Sequence, residues 1–258
     1  MKHELVLKSN NNVNFFYSRS INEIPSVKHF FSTRIGGISK GLYSSLNLGI
    51  YTSDKDKNLV ANFNNIFEAA SMDNNKIVYL RQVHSDIFHV VDEYNYGDIL
   101  EKEGDALITS SKGIAIGVFT ADCVPIILVD EKKNIISVVH AGWRGTSLKI
   151  VYKVLKYMIK TLFVNPINIK VAIGPSIQKC CYEVNKEVAE KFKYSSKVNE
   201  KWYVDLLKEN IDQMVEIGVL VDNIETGNLC TMCNPKLFYS YRRDNGNTGR
   251  LGTFIQIV

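Results

Sequence analysis

Three short segments each end an apolar, strand-like run with a soft or borderline metal ligand. They are Arg81-Gln82-Val83-His84, Thr120-Ala121-Asp122-Cys123-Val124-Pro125 and the stretch from Val138 through His140-Ala141-Gly142-Trp143-Arg144-Gly145 to Thr146. Together they offer His84, Cys123 and His140. Two imidazoles and a thiolate suit zinc, and they bind copper as well. Three protein ligands leave a fourth coordination position for water or substrate, which is the pattern of a catalytic metal rather than a structural one. A cysteine alone is usually a small buried hydrophobe, but a metal or two neighbouring histidines would turn Cys123 into a thiolate. Asp122 beside it reads as a group that orients a ligand or moves a proton, or else as a turn cap.

The third segment has further chemistry. A strand ends at His140, a glycine turn follows, and a helix opens. Free amides at a helix start attract anions, and the Arg144 guanidinium suits phosphate or carboxylate. The lysine and spacing of a phosphate-binding Walker loop are missing. The segment from Thr33 to Gly41 holds three glycines and Arg34, so it reads as a flexible cationic loop. Arg34, Arg81, Gln82, Trp143, Arg144 and Glu183 are taken as substrate-binding. Tyr43, Trp143 and Tyr182 are the candidates to stack on an aromatic ligand. His3 and His29 have no such context, and a β-type run separates His89 from His84.

Four further cysteines form the vicinal pair Cys180-Cys181 and the Cys230-x-x-Cys233 pair. Four thiols could build a structural zinc site. Adjacent side chains of an extended chain point apart, however, so idle thiols are the favoured reading. The aromatic and cationic stretch from Tyr239 to Arg250 reads, taken alone, as a surface patch or a strand with an exposed face.

These residues need a scaffold of strands. Short β-type runs recur at 77–80, 88–91, 106–109, 114–119, 125–129, 135–139 and 169–173, with a hairpin turn at 131–134 and a closing strand at 250–258. Helical spacing predicts helices from Ser53 to about Ala70, from Thr146 over four turns to Leu162, over 185–193, and over 206–217 with Asp205 as its cap. Hairpins mixed with crossover helices argue for a mixed-sheet α/β or α+β fold, and the absence of linkers or repeats for one domain over 1–258. The chain has 45% hydrophobic and 22% charged residues, as soluble globular proteins do. A net charge of +4 does not call for nucleic acid and is compatible with an anionic substrate. The first eight residues lack the apolar core of a signal peptide, and no run is long enough to span a membrane. A cytoplasmic protein with reduced thiols is expected.

The segments TRIGGISKGLYSSLNLG, RQVHSD, GDALIT, TADCVPIILVD, VVHAGWRGT, AIGPSIQKCCYEV and LFYSYRRDNGNTGR, in this order, resemble the YfiH-like family, often labelled polyphenol oxidase or laccase-domain. The resemblance runs from about Val27 to the C-terminus. It implies a four-layer α/β/β/α fold related to the catalytic domain of a bacterial deamidating toxin. It implies a metal site at His84, Cys123 and His140, without the other cysteines. It also implies phosphorolysis of adenosine, inosine and methylthioadenosine, deamination of adenosine, and a monomer or weak homodimer. Asp122 or Glu183 would then move protons in deamination. Editing of peptidoglycan precursors by an amidohydrolase, copper-dependent polyphenol oxidation and a non-catalytic partner protein are the rival expectations. Five histidines are too few for a multicopper oxidase.

Overall fold

Strands that are apolar at every position are stable only when both of their faces are covered. The computed structural model covers them with two stacked sheets and helices on either outer side. It describes residues 5–100 and 102–258. His3 and most of the segment that bears on a signal peptide lie outside the described residues.

One six-stranded sheet runs in the order Val6–Asn10, Val13–Tyr17, Val27–Ser32, Leu251–Ile257, Ala115–Thr120, Ile77–Val78. The other runs Ile224–Thr226, Lys170–Ile173, Val124–Asp130, Ile135–Ala141, Ala106–Thr109, Phe88–Val91. Side chains of a strand alternate between faces. Along Val124–Asp130, Val124, Ile126 and Leu128 therefore enter the core under the helices Ile150–Lys160 and Leu206–Glu216. Ile127 and Val129 enter the core between the sheets, where they join Ile116, Val118 and Ile255 of the other sheet. The first sheet turns its far face to the helix Asp56–Ala69. This is the α/β/β/α sandwich that the resemblance implies. A small third sheet, Glu183–Val184, Lys201–Val204 and Ser195–Val198, lies outside these layers and was not foreseen.

Phe254 centres the outer aromatic core, with ring centroids 5.3 Å from Phe67, 5.5 Å from Phe30, 5.7 Å from Phe119 and 5.9 Å from Phe63. A side chain on Gly117 would begin 2.0 Å from its ring, so the glycine is what admits it. Truncating such a ring costs about 3–5 kcal/mol.

Several element boundaries differ from the sequence expectation for local reasons. The helix expected from Thr146 is two pieces, Trp143–Ser147 and Ile150–Lys160, because Lys149 adopts the left-handed conformation with φ 60°. The helix expected over 185–193 is only Lys186–Ala189, although Asn185 caps it as a helix start should. The helix expected from Ser53 begins at Asp56; Asp54, not Ser53, accepts hydrogen bonds from Lys55 and Asn58. The hairpin at 131–134 forms, with Asn134 at φ 54°. Among the described residues, no helix is long and apolar enough to cross a membrane.

His29 gives this core an acid-sensitive point. It is buried, and its Nε2 accepts a 2.8 Å hydrogen bond from the Ser18 amide. Burial, with help from the Lys28 charge, lowers its pKa from 6.5 to about 3. Between those values the unfolded chain binds a proton that the folded chain refuses, so stability falls as pH drops through that window. His29→Gln should flatten the unfolding free energy between pH 6 and 4 by up to about 1.4 kcal/mol per pH unit. Equal slopes for the two proteins in denaturant titrations would show that His29 is not the group responsible.

Candidate functional site

The two sheets are joined where the chain crosses from Thr120, the last residue of a strand in the first sheet, to Val124, the first of a strand in the second. Three residues make the crossing. Asp122 bends it with φ 91°, a strained angle for a residue with a side chain. Cys123 thereby comes to the junction of the two sheets. Asp122 is held by three donors: Thr231 Oγ1 to Oδ1 at 2.5 Å, and Ser240 Oγ and the Arg242 amide to Oδ2 at 3.0 and 2.7 Å. That carboxylate is engaged in fixing the crossing.

His84 arrives from the other side. Gln82 continues the strand Ile77–Val78 with its side chain, donating to the Phe119 carbonyl at 2.8 Å and accepting from the Phe119 amide at 2.7 Å. Two residues later His84 turns out at φ 59°. His140, at the far end of Ile135–Ala141, sits opposite Pro125 in the register and is 3% exposed. The two imidazoles meet edge to face with centroids 4.9 Å apart.

Asp105 organises all of this, and sequence reasoning did not single it out. Fully buried, its Oδ1 accepts from the His84 amide at 3.0 Å and lies 2.8 Å from His140 Nδ1. Its Oδ2 accepts from the Ser85 amide and hydroxyl at 2.5 and 2.7 Å. Its carbonyl accepts from the His140 amide at 2.7 Å. The signal was present in the sequence: a carboxylate directly ahead of the apolar strand Ala106–Thr109 must find donors inside the protein. Burial opposes its charge, but hydrogen bonds from His140 and Ser85 outweigh that and hold the carboxyl below its ordinary range.

With Nδ1 committed to Asp105, His140 presents Nε2 to the site. The ligand atoms of His84, Cys123 and His140 all lie within 4.8 Å of one another, with Cys123 Sγ 3.8 Å from His84 Nε2. Zinc bonds of about 2.3 Å to sulfur and 2.0–2.1 Å to nitrogen set a tetrahedral sulfur–nitrogen edge of about 3.6 Å. The donor set therefore fits such an ion in type and spacing. Gly142 leaves the room: a Cβ there would lie 2.9 Å from the His84 ring and 3.0 Å from Cys123 Sγ. Burial would raise the Cys123 thiol, but His140 and His84 pull its pKa well below the usual thiol value. Burial likewise disfavours charge on His140, and Cys123 and Asp105 more than offset it.

The trio forms part of the wall of a cavity of about 530 Å³. That size is in the range of small-molecule sites. Of the residues expected to bind substrate, Gln82, Trp143 and Arg144 line it, and Asp122 does too. Arg34, Arg81 and Glu183 do not. Arg34 is tied to the carbonyls of Ser44 and Pro235 and stacks on Tyr239 at 4.6 Å. Arg81 pairs with Glu103 at 2.7 Å, and Glu183 with Lys201 at 2.8 Å. Tyr182 lines the cavity, whereas Tyr43 serves through its carbonyl, which accepts from Tyr239. The stretch read as a surface patch supplies Tyr241, Arg242 and Arg250 to the cavity.

Residues 28–258 match the family model described as multi-copper polyphenol oxidoreductase laccase. A purine nucleoside phosphorylase of Clostridium acetobutylicum is 36% identical over 233 residues, covering 88% of this chain and 90% of its own. The crystal structure of the Bacillus licheniformis hypothetical protein YfiH superposes with a TM-score of 0.91 at 29% identity, covering 98% of this chain and 99% of that one. The chain belongs to the YfiH-like, laccase-domain family. Another relative, adenosine deaminase RL5 from an unknown prokaryotic organism, is 36% identical over 248 residues, covering 90% of this chain and 94% of its own. Members of the family thus carry names from two reactions of purine nucleosides.

Asp105→Asn tests the organising carboxylate. The amide has the same shape but turns one acceptor into a donor facing N–H or O–H groups. Metal affinity, measured by competition with a chelator of known strength, should fall about 10- to 100-fold. Unchanged affinity would mean that His140 needs no such partner.

Proposed function

We propose that the protein is a zinc-dependent purine nucleoside phosphorylase acting on adenosine, inosine and methylthioadenosine, with adenosine deaminase activity at the same site. The observation that carries this reading is one cavity combining three kinds of wall. Two imidazoles and a thiolate form one part, arginines another, and aromatic rings the third. A nucleoside and phosphate need all three: a ring surface for the base, cations for the phosphate, and polar groups at the reacting carbon. The family relationship to proteins named for these activities supports it.

In phosphorolysis a phosphate oxygen forms a bond to C1′ of the ribose. The bond from C1′ to the base nitrogen breaks, its electron pair leaves with the base, and the base takes up a proton. The products are the free base and ribose 1-phosphate, or 5-methylthioribose 1-phosphate when the substrate is methylthioadenosine. Arg144 is suited to hold the phosphate: it stands over Trp143 at 5.0 Å, which leaves its guanidinium edge for an anion. Arg242 and Arg250 are partly engaged already, by the Glu183 carbonyl and by the carbonyls of Thr248 and Gly249. They add positive potential more than free donors. Trp143 and Tyr182 are the rings available to the base. A zinc ion held by His84, Cys123 and His140 would supply Lewis acidity, useful above all for activating water in deamination. Asp105 keeps His140 in the tautomer that ligates, and Asp122 acts by positioning Cys123 rather than by moving protons.

Base release from inosine, followed with and without phosphate, tests the reaction class. Hypoxanthine should appear only with phosphate, and adenosine should yield inosine. Release without phosphate would indicate hydrolysis instead. Turnover of no nucleoside would favour the amidohydrolase or partner-protein readings. Elemental analysis of the purified protein would separate zinc from copper.

One variant and one reagent examine the residues. Arg144→Ala should raise the phosphate KM about 10- to 100-fold, the worth of a charged hydrogen bond, while leaving metal content intact. An unaltered phosphate KM would remove Arg144 from the anion site. Cys123, as a ligand, should alkylate slowly in the metal-loaded protein and quickly after chelation. Fast alkylation regardless of metal, read by mass spectrometry, would make it a free nucleophile and overturn the ligand role.

A further inference from the structure

A second cluster of soft ligands stands apart from the cavity trio. Cys180, Cys181, Cys230 and Cys233 bring four sulfurs within 4.8 Å of one another. They come from two segments that backbone hydrogen bonds sew together: Ser176 N to Leu229 O at 3.2 Å and Thr231 N to Ser176 O at 3.1 Å. The vicinal pair, unpromising in an extended chain, lies in a turn. The amides of Cys181 and Tyr182 both donate to the Gln178 carbonyl, at 2.9 and 3.0 Å. The turn brings the two sulfurs to 3.6 Å, and Cys233 stands 3.7 Å from Cys180 and 3.3 Å from Cys181.

These separations match one kind of occupant. A disulfide needs sulfurs about 2.0 Å apart, and all four cysteines are free. Tetrahedral zinc with four bonds of about 2.3 Å sets sulfur–sulfur edges of about 3.8 Å. Neutral thiols are weak hydrogen-bonding groups and gain little from such crowding.

We propose that Cys180, Cys181, Cys230 and Cys233 hold a structural zinc ion, distinct from the His84–Cys123–His140 site. Four thiolates fill a tetrahedral shell and leave no position for substrate, so this ion fastens chain segments. What it fastens bears on the cavity. Thr231 lies between Cys230 and Cys233, and its hydroxyl donates to Asp122, the residue that bends the crossing before Cys123. Tyr182, next after Cys181, lines the cavity. Arg242 links the chain just after Cys181 to the same crossing, with its guanidinium donating to the Glu183 carbonyl and its amide to Asp122. The ion would thus brace one wall of the cavity without touching what binds there.

Elemental analysis of the full chain, purified with reductant and without added metal or chelator, tests this. Two zinc ions per chain are expected. The Cys180→Ser/Cys233→Ser protein should hold one, and the His84→Ala/Cys123→Ser protein should also hold one, at the other site. The two losses are independent, so failure of the cavity site and failure of the thiolate site are distinguishable. Because the serine pair could impair folding, zinc-edge X-ray absorption on the unaltered protein gives a second reading. Its first shell should be sulfur-dominated at about 2.3 Å, where the cavity trio alone would give a nitrogen-rich one. A zinc content that the Cys180→Ser/Cys233→Ser pair leaves unchanged overturns the proposal. So does a nitrogen-rich shell, iron as the second metal, or a disulfide among these cysteines in the reduced preparation.

Discussion

The Asp105 carboxylate is buried where no water reaches it, and it is tolerated there only because four donors converge on it: the amides of His84 and Ser85, the Ser85 hydroxyl and the His140 imidazole. Removing one partner from such a buried charged pair costs about 3–5 kcal/mol. The same bonds fix where both histidines stand. Asp105 stands directly ahead of a strand of the second sheet and His140 lies within that sheet, while His84 follows the edge strand of the first. The carboxylate therefore ties the two sheets together at one end of their interface, and the site's geometry and the stability of that end are one property.

Cys123 reaches the same point by a different constraint. The chain changes sheets in three residues, which is possible only with the bend at Asp122, and an Asp at φ 91° persists because its surroundings hold it there. The segments that do so, around Thr231, Ser240 and Arg242, lie far along the chain. Thr231 in turn lies between Cys230 and Cys233, two members of the four-cysteine cluster. Strain at the ligand, hydrogen bonds at the crossing and thiols behind it are thus linked in series. Packing extends the link inward: Phe119, whose backbone Gln82 clamps, belongs to the aromatic core around Phe254.

The sequence made some of this legible and hid the rest, for reasons that lie in particular residues. His84, Cys123 and His140 stood out because ligand type is a property of single residues and each ended an apolar run. The strands 124–130 and 135–141 were legible because burial on both faces leaves no polar position. Arg34, Arg81 and Glu183 stand outside the cavity lining, which the sequence did not show because a charge carries no mark of its partner; each is taken up by a nearby group. The clustering of the cysteine pairs was hidden for another reason. Period-two alternation separates neighbours in a strand, and nothing local announced the turn that reunites Cys180 and Cys181. Asp105 was the most instructive omission, since a lone carboxylate gains its meaning from donors supplied by two other segments.

The family model's description, a multi-copper laccase, implies a chemistry that this donor set does not match. An array of copper ions needs many imidazoles. Of the histidines among the described residues, His29 accepts from the Ser18 amide inside the core, and His89 faces the Glu103 carbonyl at 2.9 Å. That leaves His84 and His140, which share one site with one thiolate. Such a set suits a single ion with an open position, and copper there would have no partner copper among the described residues to pass electrons to. The remaining wall of the cavity, with Arg144, Arg242 and Arg250 beside Trp143 and Tyr182, has no evident use in oxidising a phenol. It has an immediate one for an anion and a flat heterocycle. The proposed nucleoside chemistry therefore rests on the residues around the metal trio more than on the trio itself.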